Sequence, residues 1–154
     1  MTLLLSLGTL WLAGILTVAT ETFTHLISEK SWTAVLRGFL SESLIFSATA
    51  VAWGTSVWFI LYFQGFAVPF RQVVLLMGFS HFPLLAYPLT IIPSIGYRLE
   101  QILRFTVYLL FTASVSWLAE VEITHSAFAC IGGWALHFLV VERRILSWSE
   151  TTRL

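Results

Sequence analysis

Charge is what this chain lacks most. Of its 154 residues only 10% are Asp, Glu, Lys or Arg, against about a quarter in an average soluble domain. A water-facing surface wants about a quarter to a third of its positions charged, so a soluble domain is excluded. Aspartate is absent altogether, which removes paired-aspartate chemistry. The single cysteine, Cys130, excludes an internal disulfide framework and any multi-cysteine metal site. In its apolar run it reads as an inert buried thiol. Net charge is zero and no basic cluster is long enough to track a phosphate backbone, which excludes nucleic acid as a partner. G-x-S-x-G, H-E-x-x-H, P-loop and dinucleotide-binding motifs are all missing. The chain is therefore read as non-enzymatic, with no cofactor and no metal assigned.

What remains is apolar. Hydrophobic residues make up 58% of the chain, with thirteen Phe and seven Trp among them. A helical span needs roughly 17–25 mostly apolar residues, and five stretches qualify: about 3–20, 43–63, 72–92, 102–119 and 124–141. Outer-membrane barrels show ten-residue apolar/polar alternation, which no stretch here does. The predicted fold is all-α, an integral membrane bundle of about five transmembrane helices, forming a single domain over 1–154. The opening "MTLLLSLGTLWLAGILTVATET" carries no Lys or Arg ahead of its apolar run and only a faint small-residue cleavage site. It reads as a retained span rather than a secretory signal.

The basic residues orient the bundle. With five spans, Lys30, Arg37, Arg98, Arg104, Arg143, Arg144 and Arg153 fall on one face, and only Arg71 on the other, beside Glu120 and Glu122. The positive-inside bias makes the rich face cytoplasmic. The N-terminus is then outside and the C-terminus inside, in a bacterial inner (cell) membrane. Two basic, Trp-containing segments, about 28–42 and 142–154, suit helices lying in the cytoplasmic interface. Ordinary helix ends with snorkelling side chains are the alternative. Bundle packing in lipid relies on small residues. Span two offers Ala48, Ala52 and Ser56 as well as Ala50 and Gly54, and span five offers Ala129 and Gly133.

The stretch "GFSHFPLLAYPLTIIPSIG", 78–96, holds three prolines and a histidine inside an apolar run. Pro83 and Pro88 each remove a backbone donor and clash one turn back, so the third helix should be kinked or broken. Pro93 with Gly96 should end it. Ser80, Thr90 and Ser94 are local partners for the freed carbonyls. Broken helices mark transporters, although a structural kink is the commoner meaning. His81 and His137 are candidate ligands for a haem or pigment through neutral imidazole nitrogen, with an interhelical hydrogen bond as the commoner role. Glu21 with His25, and Glu122 with His125, are each half of a metal site by spacing, but they lie on opposite sides of the membrane. Solvated interface pairs are the better reading. Glu42 and Arg104 lie near enough to span ends to reach the headgroups.

Residues 51–134 also carry a family resemblance. Trp53 and Trp58 precede a small-residue loop, "PFRQVVLLMGFSHFP" re-enters the membrane with Gly78 and Pro83 in place, and "IIPSIG" and "ITHSAFACIGGW" follow in order. In that order and spacing the run resembles the bacterial branch of the Yip-domain membrane proteins. The resemblance implies a compact five-helix domain without known catalysis, whose eukaryotic relatives are associated with vesicle trafficking, Rab-type GTPases and membrane shaping. The chain departs from those relatives in its outside N-terminus, in lacking a long cytosolic N-terminal region, and in placing His81 where a small residue is more ordinary. The expected function is a membrane-organising, scaffold or assembly subunit working through lipid contacts and a membrane-protein partner or homo-oligomer. The alternative is a small transporter or channel with His81 and the broken span lining a polar path; a haem- or pigment-binding subunit is the third reading.

Overall fold

In a computed structural model, the backbone is described for residues 3–25 and 32–151, and side chains for 3–20, 36 and 39–140. Lipid offers no hydrogen bonds to a backbone, so a spanning segment must satisfy its own, and a helix does this within one strand of chain. The helices are α1 (Leu3–His25), α2 (Trp32–Phe63), α3 (Phe70–Ser80), α4 (Gly96–Ala119) and α5 (Ile123–Thr151). A 3-10 helix, Phe82–Ile91, follows α3 after a kink at His81 and completes the third span. Five segments are long and apolar enough to cross a membrane: Leu3–Thr20, Phe39–Phe63, Phe70–Ile91, Gly96–Ala119 and Ile123–Val140. The all-α, five-span bundle predicted from the sequence is the observed one.

Three boundaries differ from the sequence reading, one of them in α5, whose backbone runs on to Thr151 rather than ending near 141. α2 begins at Trp32 and runs unbroken into the second span, so the backbone of 32–42 is the start of that helix. Residues 28–31, 152–154 and the side chains of 142–151 lie outside the described residues. α4 begins at Gly96 rather than near 102. The charges that delayed the predicted start are accommodated, because Glu100 and Arg104 form an i,i+4 ion pair on the helix.

The third span lies at the centre, touching α1, α2 and α4, while α2 and α5 pack along each other. Without a hydrophobic drive between helices, close backbone approach and polar contacts hold the bundle. Gly78 sits against Ser6 of α1, whose hydroxyl donates to the carbonyls of Val74 and Leu75 at 3.2 and 3.0 Å. Gly133 sits against the Trp53 indole, and Trp53 Nε1 donates to the Cys130 carbonyl at 2.9 Å. Trp58 Nε1 donates to Val68 O at 2.9 Å, Trp134 Nε1 to Arg104 O at 3.2 Å and Tyr108 Oη to Ala127 O at 3.0 Å. Large aromatic side chains thus fill the interhelical space and spend their one donor on a neighbour's backbone.

α2 and α4 each end at a residue in the left-handed conformation. Gly65 (φ 88°) follows α2, with Phe66 N–H donating to Leu61 O at 3.0 Å and Gly65 N–H to Tyr62 O at 3.0 Å. These are the two bonds of a Schellman cap. At the end of α4 the left-handed position is filled by Glu120 (φ 53°), with Val121 N–H donating to Ser116 O at 3.1 Å. A side chain there is strained where glycine is not. Glu120→Gly should therefore raise stability by up to about 1 kcal/mol, read as a higher denaturant midpoint in mixed micelles. The two turns also meet: His125 Nε2 and Gln64 Oε1 are 2.7 Å apart, which places the α2–α3 and α4–α5 connections at one end of the bundle.

Candidate functional site

The third span breaks at His81, the residue between α3 and the 3-10 helix. In a regular helix His81 N–H would bond to Met77 O; here it reaches Gly78 O at 3.3 Å instead. The imidazole supplies the missing donor, with Nδ1 at 2.8 Å from Met77 O. Ser80 Oγ donates to Leu76 O at 2.7 Å, so two side chains at the break face two carbonyls of the preceding turn. Pro83 stands in the first turn of the 3-10 helix and Pro88 inside it. Pro93 is exposed in the turn beyond, and Gly96, buried, lies against the Thr90 carbonyl where α4 starts. Ser80, expected as a partner for a freed carbonyl, bonds instead to Leu76 O, four residues back within α3, and not to the Phe79 or Leu84 carbonyl that Pro83 and Pro88 leave without a donor.

His137 of α5 comes to the same place. Its ring centroid is 5.5 Å from that of His81, with the planes at 78°. Both rings are buried, at 0% and 2% exposure, so these are interior groups and not snorkelling ones. His137 Nδ1 lies 2.8 Å from Thr49 Oγ1 on α2, which is the interhelical bond expected for a membrane histidine. The bond made by His81 runs within its own span. Three aromatic rings close the site. Phe46 packs edge-on against both imidazoles at 5.7 and 4.8 Å, Trp53 contacts them at 6.1 and 6.0 Å, and Phe138 touches His137 at 4.7 Å. Neither Nε2 has a hydrogen-bond partner among the described residues.

A groove of about 280 Å³ runs between α2 and α5 beside the pair. Thr49, Trp53, Ser56, Gly133 and His137 are among its walls, and Ala52 and Ser56 of the predicted small-residue ridge face it from α2. The other ridge turns inward, where Gly54 meets the Met77 side chain at contact distance. Ala129 is buried in α5 one turn before Gly133. On the far side, Arg104 is 17% exposed and ion-paired with Glu100. Its guanidinium lies 5.2 Å from the Phe138 ring centroid, and it donates to Tyr87 Oη at 3.4 Å. This arginine turns into the bundle rather than out to the headgroups.

Several expected pairs do not form a centre. His125 bonds to Gln64 across the α2–α3 and α4–α5 turns, while Glu122 accepts from Thr124 Oγ1 at 3.4 Å. The side chains of Glu21 and His25 lie outside the described residues. Among the described residues no third His, Cys, Asp or Glu joins a pair to make a three-ligand metal site. A haem held between two axial imidazoles needs ring centroids about 6 Å apart, from metal–nitrogen bonds of about 2 Å, with a macrocycle between them. At 5.5 Å, with Phe46 and Trp53 packed on both rings, His81 and His137 leave no slot for one. Sequence reasoning marked the two histidines separately and missed their meeting, together with the parts played by Thr49, Phe46 and Trp53. Comparison with family models, with curated proteins and with solved structures gives no match for this chain.

Proposed function

We propose that this five-span membrane protein is a small transporter whose binding centre is the break in its third span. One observation carries the reading: two imidazoles from different helices meet in the bundle interior at that break. Ionisable side chains at membrane depth are rare and mark solute or proton pathways by default. Discontinuous spans with binding groups at the discontinuity are the usual construction of transporter sites. The reading is non-enzymatic, and what supports it is a site made of hydrogen-bond acceptors and aromatic walls. The seven-to-one distribution of basic residues supports a bacterial cytoplasmic membrane with the C-terminus inside. Kinship with the bacterial Yip-domain proteins is part of the same proposal and rests on the ordered features between Trp53 and Trp134.

The test is flux across proteoliposomes. A His81→Phe protein should keep its helicity and its elution profile yet lose at least about tenfold of the wild-type solute permeability, the scale expected when one good polar contact of about 1.4 kcal/mol is removed. Equal permeability of the two proteins to every solute tried would end the transporter reading.

A second reading, an organising or assembly subunit, is favoured by the outer face of α5. Gly133 is used against Trp53, but its neighbour Gly132 meets nothing, and Phe128 and Leu136, one turn to either side, are 82% and 65% exposed. A small residue between two large ones suits close approach of another helix. Purification in mild detergent should then bring a second chain or a second copy in fixed ratio, and a Gly132→Leu protein should lose it.

A further inference from the structure

We infer that His81 and His137 act as one site, accepting the O–H or N–H groups of a single small neutral molecule of the water or ammonia class. The inference rests on the transporter reading for its use, though not for its geometry. The tautomers fix the chemistry. Met77 O only accepts, so the hydrogen of the His81 ring is on Nδ1 and Nε2 carries a lone pair. The Thr49 hydroxyl has the carbonyls of Ile45 and Phe46 at 3.0 and 2.9 Å to donate to. It therefore accepts from His137 Nδ1–H, which leaves a lone pair on that Nε2 as well. Two buried acceptors sit on rings whose centroids are 5.5 Å apart, and neither has a donor among the described residues. Buried polar groups left in that condition are costly, so a molecule that donates to both is strongly retained.

Size and charge narrow the ligand. One atom with two donated hydrogen bonds of about 2.9 Å joins acceptors roughly 4–5 Å apart, a span that ring centroids at 5.5 Å allow. A larger solute meets Phe46 and Trp53 against both rings and Phe138 against His137. A cation is disfavoured on two counts. No carboxylate or thiol joins the two imidazoles among the described residues, and the Arg104 guanidinium stands behind Phe138. An unpaired buried charge is expensive, whereas a neutral donor carries none. The groove between α2 and α5 gives the approach. It reaches His137 along apolar walls, which neutral molecules cross far more readily than ions.

The experiment reads the site and the flux separately. Histidine-labelled protein in lipid nanodiscs is followed by nitrogen NMR with and without ammonia, supplied as an ammonium salt at alkaline pH. Expected are two Nδ1–H tautomers, both Nε2 signals displaced to the hydrogen-bonded position, and a coupled change at His137 Nε2 in a His81→Phe protein. If ammonia is the ligand, its addition moves both Nε2 signals; if water is, they are bonded beforehand and unmoved. Should His81→Phe not fold, Thr49→Val serves instead, since loss of its acceptor should shift the His137 hydrogen to Nε2 and remove the bonded signal. Nε2 signals that stay free and unbonded in the wild type with ammonia present, or an Nε2–H tautomer on either ring, would overturn the proposal. Flux uses a trapped pH dye for ammonia and light scattering for water, with at least about a tenfold loss expected in His81→Phe for the ligand the NMR identifies. Bonded Nε2 signals with no protein-dependent flux of either probe would keep the site and remove the transporter reading.

Discussion

A Gly78→Val protein should fail to reach the native bundle. A Cβ at position 78 would run into the Ser6 side chain and into the Ser6 backbone, whose carbonyl carbon lies at 2.8 Å. Overpacking costs about 1–3 kcal/mol where a side chain can yield. Here the obstacle is main chain, so α1 and the third span would have to separate, and the cost should be about 3 kcal/mol or more. Separation also breaks the bonds from Ser6 Oγ to Val74 O and Leu75 O, and those carbonyls are in lipid-excluded interior with no water to turn to. The check is an unfolding titration from mild detergent into SDS, with helicity as readout. Wild type should show a cooperative transition, Gly78→Ala a lower midpoint, and Gly78→Val no folded baseline. An unchanged midpoint for valine would mean that α1 and α3 are not in contact at this residue.

Trp53→Ala should be the most damaging substitution of a large side chain. Trp53 is 2% exposed, and its removal opens a cavity shared by α2, α5 and both imidazoles. Truncating a buried Trp costs about 3–5 kcal/mol. The same change removes the donor to Cys130 O and the wall against which Gly133 packs. Trp53→Phe separates these contributions, because it keeps much of the ring and loses the N–H. Its cost should be nearer 1 kcal/mol. Midpoints measured in one detergent system for wild type, Phe and Ala should fall in that order, with the larger step between Phe and Ala. If the larger step came between wild type and Phe, the bond to Cys130 O would outweigh the packing.

The span count was legible in the sequence because it depends on two things that one chain displays: apolar length and the placement of basic residues. The break was legible too, since Pro83 and Pro88 cannot both continue an α-helix. Its form was not. Runs of 3-10 helix beyond three or four residues are uncommon, so nothing local announced ten of them. The start of α4 was misplaced because Arg98, Glu100 and Arg104 look like the end of a span, while the Glu100–Arg104 pair that tames them is visible only in three dimensions. Of the histidine pair, the two residues were legible and their meeting was not. The third and fifth spans start from the same face, and His81 lies 81 − 70 = 11 residues past Phe70 while His137 lies 137 − 123 = 14 past Ile123. At 1.5 Å per residue these are depths of about 16 and 21 Å. These starts come from the structure, and the depths still differ by about one helical turn; the predicted spans set His81 near the middle of one and His137 toward the end of the other, so a common depth was not read from the sequence. Lateral proximity was not legible either, because it is set by Gly133 against Trp53 and by Gly54 against Met77, and no sequence pattern says which helix faces which.

The ten-residue 3-10 helix also bears on the thickness of the bilayer. At about 2.0 Å per residue it extends roughly 20 Å, where an α-helix of the same residues would extend about 15 Å. With the eleven residues of α3 adding about 16 Å, the third span measures some 36 Å along its kinked contour, while the hydrocarbon core of an ordinary bilayer is about 30 Å deep. Pro88 stands inside the segment and opposes its return to α geometry, so the surplus cannot be shed by rewinding. It has to be taken up as tilt or as a locally thicker membrane. The prolines that look like defects in a hydrophobic run thus act as a gauge, making the central span longer than its residue count suggests and tying its angle to the lipid around it.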